Sequence, residues 1–277
     1  MSLGILAGSL AAFAVLGGSV AAPGMAALAF LAGAVWAVGN CFLIVAVARA
    51  GIARSYVVIN FSAVLSFAGG VAFLGELTDL AASRWLRLAA AVALVLAGSY
   101  LVVTTTGRSG AGARDGAMSS TVRGGLLAAF ASTVFFAAYN TITAYVMNNA
   151  GTPAGVTFAA VAPGITCGAL AIALLAPGRP LRAWRRAPSR SHGLALAQGL
   201  VWATAMVFIL FGWRGVGIAV GTSIQVGVQT LVGALWGILL FRELAGRPNR
   251  RAAALRFAGG AVLTVAGIWI LAGAFGG

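Results

Sequence analysis

The sequence predicts an all-α polytopic membrane protein: nine transmembrane helices, arranged as a five-plus-five inverted repeat that lacks its first helix. Three observations predict it. First, the 277 residues are 61% hydrophobic, with a mean hydropathy of +1.01, and only 8% are charged; soluble domains carry about a quarter charged residues. Second, continuous apolar runs of about 20 residues recur, the length a helix needs to cross a bilayer. They do not alternate as barrel strands do. Third, the stretch from Gly33 to Leu77 returns, diverged, at Gly199 to Leu244.

The nine spans fall at about 3–21, 26–48, 55–75, 85–106, 123–147, 153–176, 192–213, 217–241 and 254–274. The first, Ser2 to Ala22, ends S-V-A-A-P like a signal-peptide cleavage site, but it has no basic segment before it. Orientation follows from the basic residues, all 18 of which are Arg. Fifteen lie in the loops after spans 2, 4, 6 and 8; only Arg84, Arg87 and Arg214 lie on the opposite side. Positive charge stays in the cytoplasm, so the N-terminus is expected inside and the C-terminus outside. The net charge of +14 is thereby accounted for by topology, and nucleic acid is not an expected partner. The expected partners are a small-molecule solute and the lipid bilayer.

The repeat gives these spans an order. G-A-V-W-A at Gly33 matches G-L-V-W-A at Gly199, and G-I-A at Gly51 matches G-I-A at Gly217. Trp36 and Trp202 are 166 positions apart, and Glu76 and Glu243 are 167 apart. Spans 2–3 thus match spans 7–8. Span 4 matches span 9 through Arg87 with Arg256 and Ala97-Gly98 with Ala266-Gly267. An offset of five spans reverses direction, the pattern of inverted-repeat transporters. Span 6 then pairs with span 1, and span 5 has no partner. The expected organisation is a first repeat at 1–106, an inter-repeat linker at 107–122 rich in Gly, Ser and Ala, and a second repeat at 123–277. The natural reading frame is expected to extend upstream by one span.

The chemistry available is uncharged. Cys41 and Cys167 read as small packing residues inside apolar runs, and His192 as a solvated loop residue. No Cys/His metal spacing, catalytic triad or carboxylate dyad appears, so neither an enzyme nor a cofactor is expected. Glu76 and Glu243 sit at matching span ends, where a structural helix-end charge is preferred over a proton or gate carboxylate. The GxxxG pairs Gly4/Gly8, Gly164/Gly168 and Gly233/Gly237 allow close helix approach. Pro163 is expected to bend span 6 or expose a carbonyl.

Polar and aromatic groups inside the spans nominate a solute site, because burying them in a bilayer is costly unless they are paired or face water. Trp36 and Asn40 are four apart and share a face of span 2. Asn60 lies in span 3, four beyond Tyr56. Ser132, Tyr139 and Thr143 form a stripe on span 5, with Asn140 beside it. Gln225 and Gln229 are four apart on span 8, and Trp202 mirrors Trp36. The substrate-binding candidates are Trp36, Asn40, Asn60, Ser132, Tyr139, Asn140, Gln225 and Gln229. Amides donate and accept, and aromatic rings stack on the apolar face of a sugar. The rival reading for Ser and Thr is bonding to their own helix; for Asn40 and the Gln pair it is interhelical bonding.

At these residues the sequence resembles the drug/metabolite transporter superfamily, and within it the bacterial glucose/ribose porters. The matching pieces are W-A-V-G-N at Trp36–Asn40, G-I-A-R-S at Gly51–Ser55, S-T-V-F-F-A-A-Y at Ser132–Tyr139, I-Q-V-G-V at Ile224–Val228, and the two Glu. The resemblance implies ten helices in two inverted halves, an inner-membrane permease, and sugar uptake with proton coupling in some members. In the second half W-A is followed by Thr204 and Ala205, so that copy has diverged. The expected function is alternating-access transport of a small neutral polar solute such as a sugar. The alternatives are an exporter of amphipathic metabolites or drugs, and a non-transporting membrane subunit.

Overall fold

A computed structural model of the chain describes residues 1–18, 21–77, 81–106, 120–176, 180–239 and 249–273. Among them all regular structure is helical: α1 (Ser2–Leu16), α2 (Pro23–Ala50), α3 (Ile52–Ile59), α4 (Ser62–Leu74), α5 (Ala82–Thr106), α6 (Ser120–Ala144), a π-helical turn (Tyr145–Asn149), α7 (Ala154–Leu175), α8 (Pro180–Arg186), α9 (Ser189–Leu239) and α10 (Arg250–Gly273). Among the described residues seven helices are long and apolar enough to cross a membrane. The chain is a multi-pass membrane protein.

Seven differs from nine for two physical reasons. α1 has 15 residues and rises only about 22 Å, short of the roughly 30 Å hydrocarbon core. The expected spans 7 and 8 run together as α9, 51 residues long. Straight, it would rise about 76 Å, but Gly217 inside it has φ 75 and ψ 166. That backbone region is open essentially to glycine alone. Gly51, which starts α3, has nearly the same values, φ 83 and ψ 160. The two G-I-A motifs thus mark two breaks of one geometry.

Span 3 is also interrupted. Asn60 N–H bonds Tyr56 O at 2.9 Å, but Phe61 N–H turns to Val58 O at 3.1 Å, a tighter 3₁₀ step. α8 was not expected; it occupies part of the basic loop. His192 lies within α9 rather than in a loop, partly buried, its ring 4.8 Å from that of Trp184. Cys41 is half-buried, whereas Cys167 is exposed and does not pack. Pro163 is accommodated inside α7. Glu243, residues 107–119 of the expected linker at 107–122, and Arg108, Arg114, Arg179, Arg242 and Arg247 lie outside the described residues; the linker's last three residues begin α6.

The chain forms two compact units. One contains Met1–Asn40 and Phe135–Ile218, the other Cys41–Val134 and Ala219–Gly277. In the first, two helix pairs meet through the same small-residue pattern. α7 lies on α2: an added methyl at Gly164 would meet Phe30 O, at Gly168 Ala37 Cβ, and on the other side at Gly33 Val161 O. α1 lies on α9: a methyl at Gly4 would meet Leu196 O, at Gly8 Ala203 Cβ, and at Gly199 Met1 O. The α2 and α9 partners are 166 residues apart in every case, and the α7 and α1 partners 160 apart. Close backbone approach of this kind replaces the hydrophobic drive that lipid does not supply.

The second unit contains a comparable crossing. α5 packs along α10. A methyl at Gly98 would strike Gly260 O and Thr264, and one at Gly267 would strike Ala91 O and Val95. Gly98 and Gly267 are 169 apart, as are Ala91 and Gly260, so each contact is the other with the helices exchanged.

Candidate functional site

The candidate residues divide between the units, and each set has its own geometry. In the first unit the notable feature is a row of rings. Trp36 on α2 and Trp202 on α9 have centroids 5.0 Å apart, tilted at 52°. Phe136 of α6 lies 6.1 Å from Trp36, and Phe158 of α7 lies 6.2 Å from Trp202. These separations suit tilted aromatic packing, worth about 0.5–1.5 kcal/mol per pair beyond burial. Trp36 is 8% exposed, which excludes a role as an interfacial anchor. Trp202 is only partly buried and keeps part of its indole available.

Small neighbours let these rings meet. Gly39 packs against Phe135 and Phe136. One turn along α6 from Phe135, Tyr139 is 3% exposed, and its hydroxyl donates to Met206 Sδ at 3.6 Å. Asn40 and Asn140 are half-buried. Trp36, Asn40, Tyr139 and Asn140 therefore belong to one unit, as do Phe136 and Phe158. The latter two were not nominated from sequence, because a Phe in an apolar run carries no distinguishing signal.

The second unit holds Asn60, Ser132, Gln225 and Gln229. Asn60 is 7% exposed and donates Nδ2–H to Thr230 Oγ1 on α9 at 3.2 Å, so it bonds between helices. Ser132 is fully buried, and its Oγ has no hydrogen-bond partner among the described residues. Gln225 Oε1 and the Oγ of Ser99, which was not nominated, are in the same condition. An unpartnered buried polar atom costs roughly 1–3 kcal/mol, so these three are places where a solute hydroxyl or water would be welcome. Gln229, by contrast, is exposed. Other hydroxyls bond their own helix: Thr141 to Ala137 O at 2.9 Å, Ser223 to Ala219 O at 3.3 Å, Thr264 to Gly260 O at 2.9 Å. Thr133 does so and also donates to Val58 O at 3.0 Å, joining α6 to α3.

Glu76 has a structural task. Its Oε2 accepts the Ala219 N–H at 2.9 Å, where helical geometry resumes after Gly217. A carboxylate there satisfies a free N–H and opposes the positive end of the helix dipole. Gly70 leaves room for it, since a methyl at that position would meet Glu76 Oε2 and Ala219. Among the described residues no group of His, Cys, Asp and Glu could hold a metal ion.

Residues 1–105 match the family described as Sugar transport protein. This is a transporter family of the sugar-porter kind and not an enzyme family, and it supports the resemblance to glucose/ribose porters. The matched stretch contains Trp36, Asn40, Asn60 and Glu76. No curated protein matches the chain. A solved structure described as "Crystal structure of protein" superposes with a TM-score of 0.64 at 18% identity, over 95% of this chain and 86% of its own. That likeness concerns the fold alone.

Proposed function

We propose that the protein is an inner-membrane permease that moves a small neutral polar solute, a sugar in the first instance, by alternating access. The match of residues 1–105 to the sugar transport family is the observation that carries this reading. The ring row supports it, because indole faces stack on the apolar face of a pyranose while amides bond its hydroxyls. The residues proposed to contact the solute are Trp36, Asn40, Asn60, Ser132, Tyr139, Asn140, Gln225 and Gln229.

Nine crossings are proposed, with α9 supplying two and the expected span at about 3–21, of which α1 is the helical part, supplying one, the N-terminus inside and the C-terminus outside. The shared backbone of Gly51 and Gly217 and the repeated contact spacings of 166 and 160 residues support an inverted repeat. Proton coupling belongs to the same proposal. Proteoliposomes test it: uptake of labelled glucose, ribose and polyols is measured with and without an inward proton gradient. Saturable uptake of one of them supports the permease. Uptake of none, with extrusion of amphipathic dyes, would replace it by the exporter.

A further inference from the structure

A cleft of about 360 Å³ opens in the second unit, lined by Val57, Asn60 and Phe61 from α3 and its exit turn and by Leu96, Ala97, Tyr100 and Leu101 from α5. Cavities that take small ligands begin at about 300 Å³. Its walls are almost wholly apolar, and both flanking segments, Arg54–Leu74 and Arg84–Thr104, qualify as membrane spans. Phe61 is 52% and Tyr100 54% exposed, so the rings rim the cleft rather than fill it.

Three features give this cleft a chemistry. Asn60 commits one amide N–H to Thr230, which leaves its second N–H and its Oδ1. The 3₁₀ step of Phe61 to Val58 O removes the ordinary helical donor from Val57 O. Irregular backbone at membrane depth is tolerated where it lines a cavity. Finally, Arg54 is exposed and precedes Val57 by three residues and Phe61 by seven, which puts it on the same helix face. It stands about 9 Å from Asn60 along the axis, a span comparable to the interfacial layer between headgroup and hydrocarbon.

We infer that this cleft binds one anionic phospholipid, its headgroup on Arg54, an ester carbonyl at the Asn60 amide and an acyl chain along Val57, Phe61, Leu96 and Leu101. The exposed Arg54 on the same helix face and the apolar walls within favour a lipid over a free sugar, which would leave most of its hydroxyls unbonded there; on this inference Asn60 serves the lipid and leaves the set of solute contacts proposed above. The lipid would bridge α3 and α5 and so steady the helix interruption at Asn60.

The test uses the full chain purified in neutral detergent, with phosphatidylglycerol or phosphatidylcholine added, and reads the thermal unfolding midpoint. Phosphatidylglycerol should raise it more than phosphatidylcholine, and added salt should shrink the difference. Arg54→Gln should lose most of that difference. So should Ala97→Phe, which fills the cleft, or Ala97→Val if the larger side chain prevents accumulation. Arg256→Gln, exposed on α10, should keep it. Equal effects of the two lipids on the native chain, or equal losses in Arg54→Gln and Arg256→Gln, would overturn the proposal. Displacement of the lipid effect by glucose or ribose would also overturn it and give the cleft to the solute.

Discussion

Trp36 and Trp202, 166 residues apart in the chain, meet with their ring centroids 5.0 Å apart. Each is the third residue after the glycine of its motif, Gly33 or Gly199, whose backbone lies against a neighbouring helix. The close helix approach and the ring contact therefore come from the same short motif.

Replacing Trp202 with Ala should raise the KM for the transported solute about tenfold, the loss of roughly 1.4 kcal/mol expected for one stacked ring with its burial. Trp202→Phe should recover most of it. A double substitution with Trp36→Ala should cost less than the sum of the singles, because the rings are in contact. Strict additivity in the uptake assay would contradict a shared role.

Gly217→Ala should destabilise the purified protein by about 1–3 kcal/mol, since a Cβ is strained at φ 75 and ψ 166. Gly212→Ala, five residues earlier in α9 and with open space around the new methyl, should be neutral or slightly stabilising. Thermal unfolding in detergent measures both. Equal midpoints for the two variants would mean that the break at Gly217 is not required.

Glu76→Ala removes the acceptor of the Ala219 N–H and should cost about 0.5–2 kcal/mol. Glu76→Gln retains an oxygen there and should cost less. If Glu76 also carries protons, Glu76→Gln should abolish gradient-driven accumulation while leaving equilibrative exchange. Unchanged accumulation would confine Glu76 to its capping role.

Gly164→Leu and Gly4→Leu should be destabilising to a similar degree, by overpacking of roughly 1–3 kcal/mol or more, because each side chain would run into a backbone carbonyl, of Phe30 and of Leu196. Gly193→Leu, with nothing within reach, should be tolerated. A harmless Gly4→Leu would break the correspondence between the two helix pairs.

Orientation is open to cysteine labelling in a chain freed of Cys41 and Cys167. An impermeant maleimide should reach Gly151→Cys in intact cells, and Ala187→Cys only after permeabilisation. The reverse pattern would invert the topology read from the arginines.

The membrane class and the correspondence of the two G-x-V-W-A and G-I-A motifs were legible in the sequence. Composition, charge bias and spacing are properties of the chain itself, and a bilayer imposes them without reference to packing. The hydroxyls at Thr133, Thr141, Ser223 and Thr264 behave as local chemistry dictates, bonding back along their own helices. Tertiary structure decided the rest. It brought Phe136 and Phe158 onto the tryptophan pair and tied Asn60 to Thr230 across 170 positions. It left Ser99, Ser132 and Gln225 with unpartnered buried atoms among the described residues and set Glu76 on the Ala219 amide. It also divided the chain into units that each join segments from both halves of the sequence. Spacing shows which residues share a helix face, but which faces meet depends on where small residues let backbones approach, and that is a property of helix pairs.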